Sequence, residues 1–194
     1  MKLIKTCYYK FFCNKIVKKN LFHREKYSDR NVLELIIIPY VLGNFNPKKI
    51  LDIGREDYGE FYNEFFSGRE LWTMDIDPEN NKFGSPDHHI TDDVANVKKH
   101  FNNNYFDAVF INGVLGWGLD QDEKIEKAFE GIYDVINKKG LLVLGWNDFE
   151  DTDHKRPHEI KALKKFTPYF FKPLKTVEFE CVNGHHKYNF YIKI

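Results

Sequence analysis

The sequence predicts an α/β fold in which helices cover both faces of a mostly parallel sheet, with an antiparallel hairpin at the end. From residue 48 onward, strand-like and helix-like segments alternate, which is typical of parallel strands joined by crossover helices. Segments such as DAVFI and LLVLGW are almost continuously apolar, as strands buried on both faces are. The tail differs, because KTVEFECV and HHKYNFYIKI flank a turn-forming Asn183 and Gly184 and predict two antiparallel strands.

The period of the apolar residues places the individual elements. The expected parallel strands cover residues 49–53, 71–76, 88–91, 105–111 and 140–146. The expected helices cover residues 31–41, 59–66, 94–101, 122–137 and 157–165. A chain of 194 residues is long enough for one substantial core, so we expect a single domain over 1–194 with a helical part at 1–46 and an α/β core at 48–194.

The composition excludes several classes of protein. Lys and Arg number 29 and Asp and Glu also 29, and a neutral balance argues against a dedicated nucleic-acid binder. No apolar run approaches the ~18 residues of a membrane-spanning helix. Three cysteines, with neither an even count nor a C-x-x-C spacing, suggest neither disulfides nor a zinc site, so a cytoplasmic location is expected.

The N-terminal segment carries its own charge pattern. Residues 1–26 contain eight Lys or Arg and one acid, Glu25, and apolar residues recur at helical spacing between positions 3 and 16. This pattern predicts an amphipathic basic helix. Two interpretations fit it: a helix that closes one side of the core, and a peripheral contact with an anionic membrane surface.

The stretch KKILDIGREDYGEF at residues 48–61 resembles the first turn of a nucleotide site that lacks some of its glycines. Asp75 lies 21 residues after Gly54, a distance at which an acid accepts hydrogen bonds from ribose hydroxyls. A pyrophosphate on this loop would face Glu56 and Asp57, which repel it. S-adenosyl-L-methionine carries a sulfonium and an ammonium instead of phosphates, so the acidic loop favours it over a nicotinamide dinucleotide.

Five segments in register resemble the motifs of class I S-adenosylmethionine-dependent methyltransferases. They are ILDIGREDYG, WTMDIDPEN, HHITDDVAN, YFDAVFINGVLGWGL and IEKAFEGIYDVINKKGLLVLGWND. The resemblance covers residues 48–147 and implies a Rossmann-like methyltransferase fold. It implies that the donor is held by Asp52, Gly54, Asp75, Ile76, Asp93, Val94, Asn112 and Gly113, with Asp92 as an alternative to Asp93.

The chain departs from this family where a second glycine is expected, because Glu56 stands there and the next glycine is Gly59. One interpretation is a longer loop in which Arg55 pairs with the donor's carboxylate. The other is a site that has lost the donor, which would leave a binding protein of the same fold.

The acceptor side is expected to lie after the fourth and fifth strands. Methyl transfer from a sulfonium needs alignment of the reactants, and a base where the acceptor carries a proton. Asp148 and His154 are the candidate bases, and the candidate acceptor-binding residues are Trp117, Trp146, Asn147 and Arg156. A hydrated loop is the alternative interpretation of 148–158.

The remaining histidines predict no metal site. Neighbouring residues on a strand point to opposite faces, so His88 and His89 do not chelate one ion together. His185 and His186 follow the predicted hairpin turn, where both are expected to be exposed.

Taken together, the motifs and the expected acceptor side predict a methyltransferase acting on a small molecule, with a sugar or related metabolite preferred.

Overall fold

The computed structural model describes residues 30–149, 153–182 and 185–194, which build an eight-stranded sheet. The strands are β1 Lys49–Ile53, β2 Glu70–Asp75, β3 His89–Thr91, β4 Phe106–Asn112, β5 Ile136–Asn147, β6 Thr167–Pro168, β7 Glu178–Glu180 and β8 His186–Ile192. Their order is β3-β2-β1-β4-β5-β8-β6, and β7 also pairs with β8. Strands β1 to β5 are parallel, and β8 is antiparallel to its three neighbours.

Helices flank this sheet. Helix α1 spans residues 30–44 and contains the π-helical turn Leu33–Ile37 between Arg30–Val32 and Ile38–Asn44. The others are α2 Tyr62–Phe65, α3 Val97–His100 and α4 Asp122–Val135, and 3-10 turns lie at Asp57–Gly59, Pro78–Phe83, Val94–Asn96, Pro157–Glu159 and Ala162–Lys165. Within the described ranges, no helix has the length and apolar character needed to cross a membrane.

The core lies on both faces of the sheet. Successive residues of a strand point to opposite faces, and in β1 Ile50 packs on the side of α1 while Leu51 packs on the side of α4. Both residues are fully buried. This two-sided burial accounts for the continuous apolar runs and leaves the strand ends as the place where polar groups collect.

The expected parallel strands are confirmed to within one or two residues, except that β5 begins at Ile136 rather than at residue 140. The helix expected over 157–165 is wrong, since two 3-10 turns occupy this segment. The backbone is extended at Ile160, and the amides of Lys161 and Ala162 donate to the Glu126 carboxylate at 3.0 and 2.9 Å. Those amides are therefore satisfied by a side chain rather than by helical carbonyls.

The antiparallel pair at the end of the chain is confirmed as β7 and β8. Its expected turn at residues 183 and 184 lies outside the described residues, as does the expected basic helix between residues 3 and 16. The expectation that both histidines after the turn are exposed is wrong for His186. His185 is exposed, but His186 belongs to β8 and is only 6% exposed, because it packs inward between β4 and β5 side chains.

Candidate active site

A cavity of about 380 Å³ opens at the carboxyl ends of β1, β2 and β4. We call it the strand-end cavity. This is the edge of a parallel sheet at which ligands bind in doubly wound folds, and the volume falls within the range of small-molecule sites. Seven of the predicted donor-site residues line it: Gly54, Asp75, Ile76, Asp93, Val94, Asn112 and Gly113.

Gly54 forms the turn at the floor of the strand-end cavity. Its φ of +88° is a conformation that side-chain-bearing residues rarely adopt. A Cβ here would lie 2.5 Å from Val114 Cγ2 and 3.0 Å from the carbonyl oxygen of Asn112. The Gly54 amide donates to the Met74 carbonyl at 2.9 Å, which ties the turn to β2. Both conformation and space therefore require glycine at this position.

Asp75, at the end of β2, is held in place by three N–H donors. The backbone amide of Arg55 donates to Oδ2 at 2.7 Å, and the amide of Asp77 donates to Oδ1 at 2.8 Å. Asn80 adds a side-chain hydrogen bond to Oδ1 at 3.2 Å, a partner that the sequence analysis did not predict. Each carboxylate oxygen accepts about two hydrogen bonds, and Oδ1 already accepts two, so Asp75 keeps one acceptor site, on Oδ2, for a hydroxyl donor from a ligand.

Asp92 and Asp93 both line the cavity after β3. Asp93 caps the following turn by accepting from Ala95, and it also forms a 2.9 Å ion pair with Lys124. Burial opposes ionisation of Asp93, but these contacts lower its pKa. Despite several acids on one wall, no cluster of three or more potential metal ligands occurs in the part of the chain that the structure describes.

Arg55 and Asp52 do not line the strand-end cavity. Arg55 is 1% exposed and points into the protein, where its Nε lies 2.9 Å from Asp52 Oδ2. Arg55 Nη1 donates to the carbonyl of Gly59 at 2.5 Å. Burial raises the pKa of Asp52, an effect that Arg55 and Arg30 oppose. The Arg55 guanidinium thus faces the protein interior, in contrast to the expected pairing with a donor carboxylate.

Glu56 and Tyr58 line the strand-end cavity next to Gly54. The Glu56 backbone is extended, with φ −132° and ψ 177°, and the 3-10 turn Asp57–Gly59 follows it. An acid thus stands on the wall where the second glycine was expected. This wall disfavours a pyrophosphate and accepts a cationic ligand.

A second cavity of about 270 Å³ adjoins the first and shares Gly116 and Trp117 with it. We call it the loop cavity, because its walls come from the segments after β4 and β5. Trp117 is 67% exposed and stands between Gly116 and Gly118, whose φ angles are +85° and +88°. The remaining walls are Leu115, Asp120, Asn147, Phe149, Asp153 and His154. Of the four predicted acceptor-binding residues, Trp117 and Asn147 line this cavity, and Trp146 and Arg156 do not.

His154 lines the loop cavity and lies over Gly116, a residue that both cavities share. A Cβ on Gly116 would fall 2.4 Å from both Nε2 and Cδ2 of the His154 ring, so the ring rests directly on this glycine. His154 Nδ1 lies 3.0 Å from the carbonyl oxygen of Lys155. A carbonyl only accepts, so Nδ1 carries the proton, which leaves the lone pair of a neutral ring on Nε2.

Asp148, the other predicted base, is committed to two cations and does not line either cavity. Lys187 Nζ donates to Oδ2 at 2.7 Å, and Arg156 Nε donates to Oδ1 at 2.8 Å. The hydrogen bond from Lys187 is the main reason that the pKa of Asp148 is lowered. Trp146 is also outside the cavities, 1% exposed, with its indole N–H donating to Asn189 Oδ1 at 2.8 Å.

The buried ring of His186 joins the two cavity walls, a role that the sequence analysis missed. Its Nδ1 lies 2.8 Å from Oδ1 of Asn147, a loop-cavity residue. Its Nε2 lies 3.1 Å from Oδ1 of Asn112, a residue of the strand-end cavity. Only the placement of β8 beside β5 brings these three side chains together, and no local sequence pattern reports it.

Comparison with protein families assigns the segment that builds this site. Residues 51–144, nearly half of the chain, match the family described as "Methyltransferase domain". These residues form a methyltransferase domain. The match confirms the family and enzyme class that the five motifs predicted. Among curated proteins, none matches the sequence.

Several solved structures, including two of methyltransferases, share the fold. The N-methyltransferase NodS from Bradyrhizobium japonicum superposes with a TM-score of 0.62 at 16% identity, over 90% of this chain and 97% of that one. The PH0226 protein from Pyrococcus horikoshii superposes with a TM-score of 0.63 at 14% identity, over 88% of this chain and 92% of that one. The 1,6-didemethyltoxoflavin-N1-methyltransferase from Burkholderia thailandensis superposes with a TM-score of 0.57 at 12% identity, over 93% of this chain and 88% of that one. That structure contains 1,6-didemethyltoxoflavin and S-adenosylhomocysteine. At such identities the likeness extends to the Rossmann-like fold.

Proposed function

We propose that this protein transfers a methyl group from S-adenosyl-L-methionine to a small polar molecule bound in the loop cavity. The enzyme class and its donor follow from the methyltransferase domain over residues 51–144. The acceptor is the proposed part, with a sugar or related metabolite as the preferred class. The single observation that carries the proposal is the contact of two cavities of about 380 and 270 Å³ along Gly116 and Trp117.

The residues of the strand-end cavity fit the donor. Gly54 has no room for a Cβ at the cavity floor, and Asp75 keeps one acceptor site, on Oδ2, for a ribose hydroxyl. Ile76, 55% exposed at the cavity wall, would cover an adenine face. The acidic wall at Glu56 and Asp93 accepts a cationic nucleoside. An open cavity in contact with Asp75 disfavours the alternative of a binding protein that has lost the donor.

The loop cavity supplies the groups that an acceptor with hydroxyl or amino groups needs. Trp117 offers an exposed aromatic face, and Asn147 and Asp120 offer hydrogen-bonding groups. When bound, the donor supplies an electrophilic methyl group. His154, which lines the loop cavity, would take the proton that the attacking oxygen or nitrogen loses at its Nε2. We assign the base role to His154 rather than Asp148, whose carboxylate is held by Lys187 and Arg156.

Calorimetric titration with S-adenosylhomocysteine tests the donor half directly. The wild-type protein should bind it, and Asp75→Ala should weaken binding by about 100-fold, since hydrogen bonds to a charged group contribute about 1.5–3 kcal/mol each. Asp87→Ala, which removes an exposed acid outside the cavity, is the matched control and should bind normally. Absence of binding by the wild-type protein, or preferential binding of NAD, would refute the proposal.

The acceptor half is tested by incubating the protein with methyl-labelled donor and a panel of sugars, amino sugars, nucleosides and carboxylic acids. Transfer of the label to a neutral or amino-bearing polar compound is the expected result. Transfer only to the carboxylic acids would contradict the assignment of the acidic loop cavity as the acceptor site.

A further inference from the structure

The glycine-poor loop between β1 and α2 raises the question of what holds its shape. In this chain Gly54 is followed by Arg55, Glu56, Asp57 and Tyr58 before the next glycine. Four side chains thus have to be placed where the backbone approaches the strand-end cavity. Glu56 and Tyr58 turn toward the cavity, whereas Arg55 turns into the protein and is 1% exposed.

The Arg55 side chain connects three parts of the donor site from inside. Its Nε lies 2.9 Å from Asp52 Oδ2, at the end of β1. Its Nη1 donates to the carbonyl of Gly59 at 2.5 Å, which fixes the far end of the loop. The same Nη1 lies 3.4 Å from the carbonyl of Phe83, at the end of the 3-10 turn that follows β2. The buried Arg55 guanidinium thus contacts the first strand, the loop and the segment after the second strand.

The backbone of the same residue reaches the ribose-binding acid. The Arg55 amide donates to Asp75 Oδ2 at 2.7 Å, the shortest of the hydrogen bonds that orient this carboxylate. Because the side chain fixes the position of its own backbone, the direction of that amide depends on the guanidinium contacts. The Asp52 carboxylate is buried as well, and burial raises its pKa, an effect that the Arg55 and Arg30 guanidinium groups oppose.

We infer that Arg55 is a positioning residue of the methyl-donor site, its buried guanidinium holding the loop in the shape that glycines give elsewhere and thereby orienting Asp75. This inference rests on the proposed function for its binding readout. It assigns Arg55 no contact with the donor. It also explains how a loop with one glycine fewer keeps an open cavity.

The first test compares Arg55→Lys with the wild-type protein. Lysine keeps the positive charge but loses the planar group that spans Asp52 and the Gly59 carbonyl. Hydrogen exchange of the ligand-free protein should show the amide of residue 55 exchanging about 10-fold faster or more, while the Gly54 amide, bonded to Met74, stays protected. Affinity for S-adenosylhomocysteine should fall about 10-fold or more. Unchanged exchange at residue 55, or unchanged affinity, overturns the inference.

A paired variant covers the case in which Arg55→Lys fails to fold. Asp52→Asn with Arg55→Met removes both charges, so no unpaired carboxylate is left buried. This double variant should fold and still bind S-adenosylhomocysteine about 10-fold more weakly than Asp52→Asn alone. Equal affinities of the two would show that Arg55 only neutralises Asp52, and would overturn the inference. If wild-type protein does not bind the probe, the proposed function fails, while the exchange rate at residue 55 still decides the role of Arg55.

Discussion

The strand-end cavity and the loop cavity share Gly116 and Trp117, but they are built in different ways. The first is bounded by the ends of buried parallel strands, and its central acid, Asp75, is held by three N–H donors. The second is bounded by segments that follow β4 and β5, with the exposed side chains of Trp117 and Asp153 on its walls.

This difference separates two tasks. A cavity made from strand ends and backbone amides has its shape set by the sheet itself, so it is suited to a ligand that does not vary among related enzymes. A cavity made from loop side chains is altered without cost to the core, so it is suited to the ligand that does vary. We therefore expect changes in the two regions to act on different measurements.

Gly54→Ala should cause the largest loss of stability and of donor binding, because Gly54 forms the turn at the floor of the strand-end cavity. A residue with a side chain is strained at φ +88°, and the added Cβ would meet Val114 Cγ2 at 2.5 Å. We expect a loss of about 3 kcal/mol in the free energy of unfolding, measured by chemical denaturation. Binding of S-adenosylhomocysteine should be lost as well.

Gly68→Ala is the matched control for this change. Gly68 also has a positive φ, +77°, but no atom lies within 4 Å of an added Cβ. Only backbone strain of about 1 kcal/mol is expected, with normal binding. Equal effects of the two substitutions would contradict the close approach at Gly54.

His154→Gln should separate the two regions most clearly. Removing the proposed base should lower kcat by about 100-fold with the acceptor found in the transfer assay. Affinity for S-adenosylhomocysteine should change less than about 2-fold, because the proposed donor site is the other cavity. His158→Gln, an exposed histidine four residues later, serves as the control. A kcat within about 3-fold of the wild-type value for His154→Gln would remove the base assignment.

Trp117→Ala should weaken binding of the acceptor more than binding of the donor, although Trp117 borders both cavities. Loss of one aromatic face is expected to raise KM for the acceptor by about 10-fold. Trp117→Phe keeps a ring and should restore most of that loss. An equal decrease in donor and acceptor affinity would instead place Trp117 in both sites.

Asp148→Asn should have the smallest effect and should act on stability alone. The side chain is 18% exposed and pairs with Lys187, which is 17% exposed, so we expect a loss of about 1 kcal/mol at pH 7. The pKa of Asp148 is lowered in the folded protein, so its contribution is present above the unfolded value of about 3.9 and disappears as the pH falls through the folded pKa. The stabilities of the two proteins, measured from denaturation curves, should therefore differ at pH 7 and converge as the pH falls below the folded pKa of Asp148. A difference that persists at low pH would indicate a packing effect.

The contrast between the two cavities also explains which parts of the fold and of the site the sequence predicts. The parallel strands were predictable because burial on both faces leaves continuous apolar runs, and strand-end residues such as Gly54 and Asp75 follow those runs directly. The loop cavity was predicted in part, since Trp117 and Asn147 lie close to strand ends.

Several long-range contacts could not be predicted. His186 appears in the sequence as one of two histidines after a turn, and only the pairing of β8 with β5 places it against Asn112 and Asn147. Arg55 appeared to be available for a ligand, because nothing local indicates that its side chain enters the interior. The interruption at Ile160 likewise depends on Glu126, more than 30 residues earlier.

Trp117 also provides an intrinsic fluorescence signal for ligand binding. Of the three tryptophans, Trp146 is 1% exposed and Trp72 is partly buried, whereas Trp117 is 67% exposed and its environment changes when either cavity fills. Unlabelled compounds can therefore be screened by intrinsic fluorescence, with Trp117→Phe as the silent reference that distinguishes true occupancy from quenching in solution.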